Sequence, residues 1–183
     1  MNTFIALLRG INVSGQKKII MAELKEVFEA LGYISVTTYI QSGNVVFQHA
    51  LLDSNYHALV IKKGVQERFG FDVSVLVLTR EKLIGIYNAN PYAERLATGE
   101  IAENKMYFTL LQGMENMEAV ESLNELSCSP EEFVITKEVV YFFAANGYGK
   151  TKLSNNFFEK KLRCSATTRK LRTVLKLMEI SNF

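Results

Sequence analysis

The string Ala144-Ala145-Asn146-Gly147-Tyr148-Gly149-Lys150-Thr151 comes nearest to recognisable chemistry in this sequence. It fits a relaxed Walker A pattern in which Ala144 stands in place of the first glycine. Placed between a strand and a helix, such a loop turns backbone N–H groups toward phosphates, with Lys150 neutralising charge and Thr151 meeting Mg²⁺. Against this, no predicted strand ends in the Asp that a Walker B site needs, and the flanking pattern reads as antiparallel. A plain glycine turn between strand and helix is the competing reading. The first loop, Gly10 to Gly15 followed by Gln16, Lys17 and Lys18, is a near miss with a weaker warrant, because Gln16 occupies the lysine position and no hydroxyl follows.

His49 and His57 are the only histidines, and neither has Cys or acidic neighbours at metal-ligand spacing. No nucleophile elbow accompanies them, so no Ser-His-Asp or Cys-His site is expected, and both read as surface histidines. Tyr39 and Phe47 lie on predicted strands where aromatic rings can stack on bases, but the alternation around them and the lack of an RNP-like cluster favour core packing.

The elements that position these residues follow from periodicity. Thr3 to Leu8 reads as a strand. Met21, Leu24, Val27, Phe28 and Leu31 recur at helical spacing and stop at Gly32. Val36 to Ile40 and Val45 to Phe47 form a hairpin across Gln41-Ser42-Gly43-Asn44. Ala58, Ile61, Val65 and Phe69 give a second helix, and Val73 to Thr79 a further strand. After a helical connector, Glu81 to Asn88, the order restarts: strand Met106 to Leu111, a helix through Met117 and Leu126, strands Phe133 to Thr136 and Val139 to Ala144, a helix through Leu153 and Leu162, and a short strand at Ser165 to Thr168. Leu171, Val174, Leu175 and Met178 mark a terminal amphipathic helix. The fold class expected is α+β, two consecutive ferredoxin-like βαββαβ units with antiparallel sheets and a C-terminal helix. Their bounds are 1–80 and 104–183, with 81–103 as connector.

At 183 residues and 48% hydrophobic content, the chain can bury a core without covalent staples. Two cysteines, Cys128 and Cys164, without C-x-x-C spacing point to buried thiols in a reducing cytosol. The apolar run at the N-terminus stops at Arg9, too short for a signal peptide or membrane span. Net charge is only +2, but it is unevenly spread. Residues 94–138 hold ten acids and three bases, a balance of −7, whereas 150–176 hold nine bases and one acid, Glu159, a balance of +8. Such runs are solvated faces or, in the sharper reading, an anion site.

Three strings are distinctive together: Leu7-Leu8-Arg9-Gly10-Ile11-Asn12-Val13 with Gly15 and Met21; Thr38-Tyr39-Ile40-Gln41-Ser42-Gly43-Asn44-Val45-Val46-Phe47; and Ala166-Thr167-Thr168-Arg169 before Thr173-Val174 and Lys176-Leu177. On these the chain resembles the bacterial family catalogued as domain of unknown function 1697, nearly end to end. The resemblance implies two ferredoxin-like units and no stated activity. Two departures stand out. Lys170, Leu171 and Arg172 occupy places where the family usually has Asn-Trp after the Thr-Thr-Arg and a further Asn, and Gly149-Lys150-Thr151-Lys152-Leu153 replaces Gly-Arg-Ser-Lys-Leu.

Arg9, Asn12, Gln41, Ser42, Asn44 and Arg169 are polar residues at strand ends or turns, where side chains reach a cleft. Arg9 and Arg169 carry planar forks suited to carboxylate or phosphate. In the plainer alternative Gln41, Ser42 and Asn44 close the hairpin and Arg9 pairs with Glu23. The leading expectation is a cytoplasmic domain that binds a phosphate group of a nucleotide, a nucleic acid or another phosphorylated ligand. It would use Arg9, Asn12 and Lys17, with Gln41, Ser42 and Asn44, and the basic Lys150, Lys152 and Arg169. No cofactor, metal or membrane is expected. The alternatives are a nucleotide-processing enzyme using the Gly147 to Thr151 loop and a protein-interaction module using the acidic 94–138 stretch.

Overall fold

Strand β1 (Asn2–Leu8) is buried at every position from Phe4 to Leu8, and this is why it reads as a continuous apolar run instead of an alternating one. A computed structural model describes residues 1–13, 15–114 and 116–182. Contacts divide the chain into two compact units, Met1–Ile84 with Lys176–Phe183, and Gly85–Leu175.

In the first unit β1 is followed by α1 (Met21–Ala30), β2 (Ile34–Tyr39), β3 (Asn44–His49), α2 (Ser54–Phe69), β4 (Val75–Thr79) and the start of α3 (Arg80–Asn88). The four strands form one antiparallel sheet in the order β2-β3-β1-β4, the ferredoxin-like arrangement. Alternate residues Phe4, Ala6 and Leu8 of β1, with Phe47 and Val77, meet Leu24 and Phe28 of α1 and Ile61 and Val65 of α2 in one core. Gly64 lets the two helices approach, since a Cβ there would sit 3.1 Å from Leu31 Cδ1 and 3.2 Å from Val27 Cγ1. At the edge, β2 slips register between Ile34 and Thr37, with Ser35 at φ 53°, a bulge that blunts the open strand.

The second unit repeats the order. After α3 and α4 (Ala93–Ala97) come β5 (Met106–Gln112), α5 (Met117–Asn124), β6 (Glu132–Ile135), β7 (Val139–Phe143), α6 (Asn155–Leu162) and β8 (Ser165–Lys170), and then α7 (Leu171–Ile180) begins. Its sheet runs β6-β7-β5-β8, again antiparallel and in the same relative order as the first. Tyr107, Leu111, Val140, Phe142 and Ala166 pack with Val120, Leu123, Phe158 and Leu162 from α5 and α6. The α+β reading with two ferredoxin-like units and a C-terminal helix holds. The sequence reading did not include α4, whose short AERLA run lacks a full helical period.

Candidate functional site

In the first unit, Arg9, Asn12, Lys17, Gln41, Ser42 and Asn44 all gather at one end of the sheet, where β1 finishes and β3 starts. The backbone is built for this crossing. Leu8 N–H donates to the Gly43 carbonyl at 2.8 Å and Arg9 N–H to the Ser74 carbonyl at 2.9 Å, so the loop after β1 is tied to its neighbours on both sides. Asn12 takes a left-handed backbone, φ 55°, and its side chain is committed inward. Its Nδ2 donates to the Ile19 and Gln41 carbonyls, each at 2.9 Å, and its Oδ1 accepts from Ile19 N–H at 2.8 Å. Asn44 is fully buried and donates to the Tyr39 carbonyl at 3.0 Å and to Ser42 Oγ at 2.9 Å. Asn12, Ser42 and Asn44 thus clamp the turn that carries Gln41.

Lys17 points outward from this clamp. Its ammonium donates to the Asp72 carbonyl at 2.6 Å, and an ammonium has two further donors. Lys62 sits 2.8 Å from the Asp72 carboxylate, and that hydrogen bond, followed by the Lys62 and Lys17 charges, holds the Asp72 carboxyl below its usual range. Glu23, considered as a partner for Arg9, pairs with Arg68 at 2.7 Å.

In the second unit the site residues separate. Lys150 and Lys152 are exposed in the loop after β7, whereas Arg169 is only 9% exposed. Thr168 faces the helices, so its neighbour Arg169 lies on the opposite face of β8, level with Phe108. One guanidinium N–H of Arg169 donates to the Thr168 carbonyl at 2.9 Å, and burial lowers its pKa to about 10, leaving it charged at neutral pH.

The hub of this unit is Thr168. Its hydroxyl donates to Asn155 Oδ1, which can only accept; the Tyr148 hydroxyl then donates to Thr168 Oγ1 at 3.3 Å, and Thr109, 2.7 Å away, must supply the remaining donor. Asn155 N–H donates to the Tyr148 hydroxyl at 3.3 Å, which closes a ring. Both lone pairs and the proton of Thr168 are used, so it is an architectural centre and not a nucleophile. The tie fixes the 144–153 loop against β8, and Tyr148 also lies against Tyr107 with ring centroids 4.9 Å apart. Sequence reasoning missed Thr109, Tyr148 and Asn155; the only signal was Thr167-Thr168 within a distinctive string.

The Gly147 to Thr151 loop differs from a phosphate-binding P-loop in its geometry. It turns through a short 3₁₀ helix (Tyr148–Lys150), and α6 begins only at Asn155, capped by Ser154. The amides of Gly147 and Lys150 donate to Ala144 and Gly147 carbonyls within the loop. Thr151 Oγ1 donates to Glu131 Oε2 at 2.6 Å, which turns it from the place where Mg²⁺ would bind. The sheet around it is antiparallel. Among the described residues no group of three or more His, Cys, Asp or Glu side chains could hold a metal ion, and no helix is long and apolar enough to cross a membrane.

The histidines correct the sequence reading. His57 is fully buried, and only His49 is near the surface. His57 Nε2 donates to the Leu51 carbonyl at 2.9 Å, so Nδ1 accepts from the Tyr33 hydroxyl at 3.0 Å. Phe4, Tyr33, Phe47 and His49 ring it within 4.7–5.7 Å. The cysteines are half-buried instead of buried, and burial pushes the Cys164 thiol up to about 11.

A family model described as "Protein of unknown function (DUF1697)" matches residues 1–141. The chain belongs to this family. The match takes in the strings at Leu7 to Val13 and Thr38 to Phe47, and ends before Ala166 to Arg169, the segment followed by the departures at Lys170, Leu171 and Arg172. A solved structure, that of conserved bacterial protein SP0830 from Streptococcus pneumoniae, matches with a TM-score of 0.73 at 22% identity and 99% coverage of both chains. That likeness is one of fold. No curated protein matches the chain.

Proposed function

We propose that this DUF1697 protein is a phosphate-group-binding domain, with the basic loop of the second unit as its principal site and the Arg9–Lys17 end of the first unit as a separate, secondary one. The observation that carries this reading is the Thr168 ring. It holds the loop bearing Lys150 and Lys152 in one conformation, so a ligand need not order it. The basic run is surface: Lys150 and Lys152 in the loop, Lys170 at the end of β8 with Arg172 just after it, and Lys160, Lys161 and Arg163 at the far end of α6 are all exposed. The one acid among them, Glu159, accepts from Ala166 N–H at 2.8 Å and serves to start β8. Arg169, 9% exposed on the other face of β8, presents little surface to a ligand at this loop. In the first unit, Lys17 is held by Asp72 with donors to spare, on a loop clamped by Asn12.

Salt dependence separates the two ligand classes. If the ligand is single-stranded nucleic acid, log K falls against log[salt] by about 0.7 per neutralised phosphate, and Lys150→Ala with Lys152→Ala reduces the slope. A mononucleotide gives a shallower dependence. Affinity that is insensitive to salt, or unchanged in the double variant, contradicts a phosphate contact at this loop.

A further inference from the structure

Edge strand β6 carries a backbone opening that the fold closes on both sides but not in the middle. Its register with β7 sets which groups face outward. Thr136 N–H donates to the Val139 carbonyl, so the even-numbered residues bond to β7 and Glu131, Phe133 and Ile135 turn away from it. Ile135 is closed by a side chain: its N–H donates to Asn124 Oδ1 at 3.0 Å, and its carbonyl accepts from Asn124 Nδ2 at 3.2 Å. Glu131 N–H is closed by the Cys128 carbonyl at 2.9 Å. Between them the N–H and C=O of Phe133 are claimed neither by β7, nor by Asn124, nor by the Cys128 turn. An open pair of this kind is the template for one added strand residue.

Phe133 lines a groove of about 530 Å³, within the usual range of ligand sites, together with Tyr92, Leu126, Ser127, Ser129 and Glu132. The groove is acidic. Glu131 and Glu132 line it, Glu125 is exposed beside it, and the surrounding 94–138 stretch carries the balance of −7. Arg95 does not neutralise it outright, because its fork is shared between Glu132, at 2.7 and 3.0 Å, and Glu100, at 2.7 Å. Leu126, 50% exposed, adds an apolar lip.

We infer that this groove is a docking site for an extended basic peptide segment, which pairs its backbone with Phe133 and sets Lys or Arg side chains against Glu131 and Glu125. The occupant follows from charge complementarity and from the single open backbone pair. An acidic strand fails the first condition, and a helix, whose backbone groups are bonded within itself, fails the second. The short opening, closed by Asn124 at one end and the Cys128 turn at the other, fixes the register of the added segment.

The test uses the full chain and an end-blocked hexapeptide of alternating Val and Lys, followed by fluorescence anisotropy and by amide exchange of Phe133. The expected result is saturable binding, slowing of Phe133 exchange by about tenfold or more at saturation, and no binding of the same peptide with Glu in place of Lys. Glu131→Gln, which keeps an acceptor for Thr151, weakens binding about two- to fivefold. Absence of binding at about 1 mM peptide overturns the inference. So does binding that leaves Phe133 exchange unchanged, which places the peptide elsewhere. Slowing of Phe133 with rising protein concentration in the absence of peptide overturns it in favour of a second copy of the chain.

Discussion

The Tyr33 hydroxyl donates to Nδ1 of His57 at 3.0 Å, inside a shell of aromatic rings, and so fixes His57 as the neutral Nε2–H tautomer. Burial is the main reason that the His57 pKa is lowered, with the nearby His49 adding to it and the Leu51 carbonyl and Asp53 opposing it. Burial likewise pushes Tyr33 up to about 12. The unfolded chain therefore takes up a proton at His57 before the folded chain does. Stability is complete above the ordinary histidine value of about 6.5, falls as pH drops from there toward the lowered folded value, and loses nothing more from this group below it.

Urea midpoints measured between pH 8 and pH 5 are expected to fall across that window in the wild type and to change much less in His57→Gln. Tyr33→Phe removes the donor and leaves Nδ1 buried without a partner, at a cost of about 1–3 kcal/mol at pH 8. An equal pH slope in wild type and His57→Gln would remove His57 as the source.

Gly43→Ala is expected to be among the most damaging small substitutions in the first unit. Gly43 holds φ 73°, and a Cβ there would lie 2.8 Å from both Leu8 Cβ and Ile11 Cδ1. Backbone strain and overpacking add to about 2–4 kcal/mol, to be read as a lowered urea midpoint at unchanged slope.

Thr168→Val keeps the shape of residue 168 and removes its hydrogen bonds. Asn155 Oδ1 and the hydroxyls of Thr109 and Tyr148 lose their shared partner. The expected cost is about 1–3 kcal/mol. Because the same ring pins the 144–153 loop, trypsin should cut after Lys150 and Lys152 faster in the variant than in the wild type, while cleavage after Lys62 and Lys63 in α2 of the first unit is unchanged. Equal cleavage in both would mean that the ring does not order the loop.

The strands and helices were legible because their burial is periodic or continuous. Leu24 and Phe28 announce one helix face and Ile61 another, and Phe4 to Leu8 announces a strand covered on both sides. The clamp at Asn12 and Asn44 was legible only as a choice between turn chemistry and ligand chemistry, since the same amide suits both. The buried His57 was not legible. Its partners, Tyr33 and Leu51, stand 24 and 6 residues away in sequence, and a polar ring gives no sign of burial until they are placed. The start of α2 had a local signal that was passed over: Asp53, whose carboxylate accepts from Tyr56 N–H at 2.9 Å as an N-cap. Arg169 and Lys150 share a basic run, yet strand alternation turns Arg169 to the face away from the helices. One-dimensional charge counting cannot see that.

The most direct test of phosphate-group binding is a thermal-shift titration at low salt against nucleotides, short RNA and DNA oligomers, and inorganic phosphate. Ligand that binds the folded state alone at a hundred times Kd adds about 2.7 kcal/mol of stability, a readable rise in Tm. The prediction is a rise with at least one phosphate-bearing class that Lys150→Ala with Lys152→Ala diminishes and Lys17→Ala diminishes to a lesser degree. No rise with any of them, or a rise that both variants retain in full, would contradict the assignment.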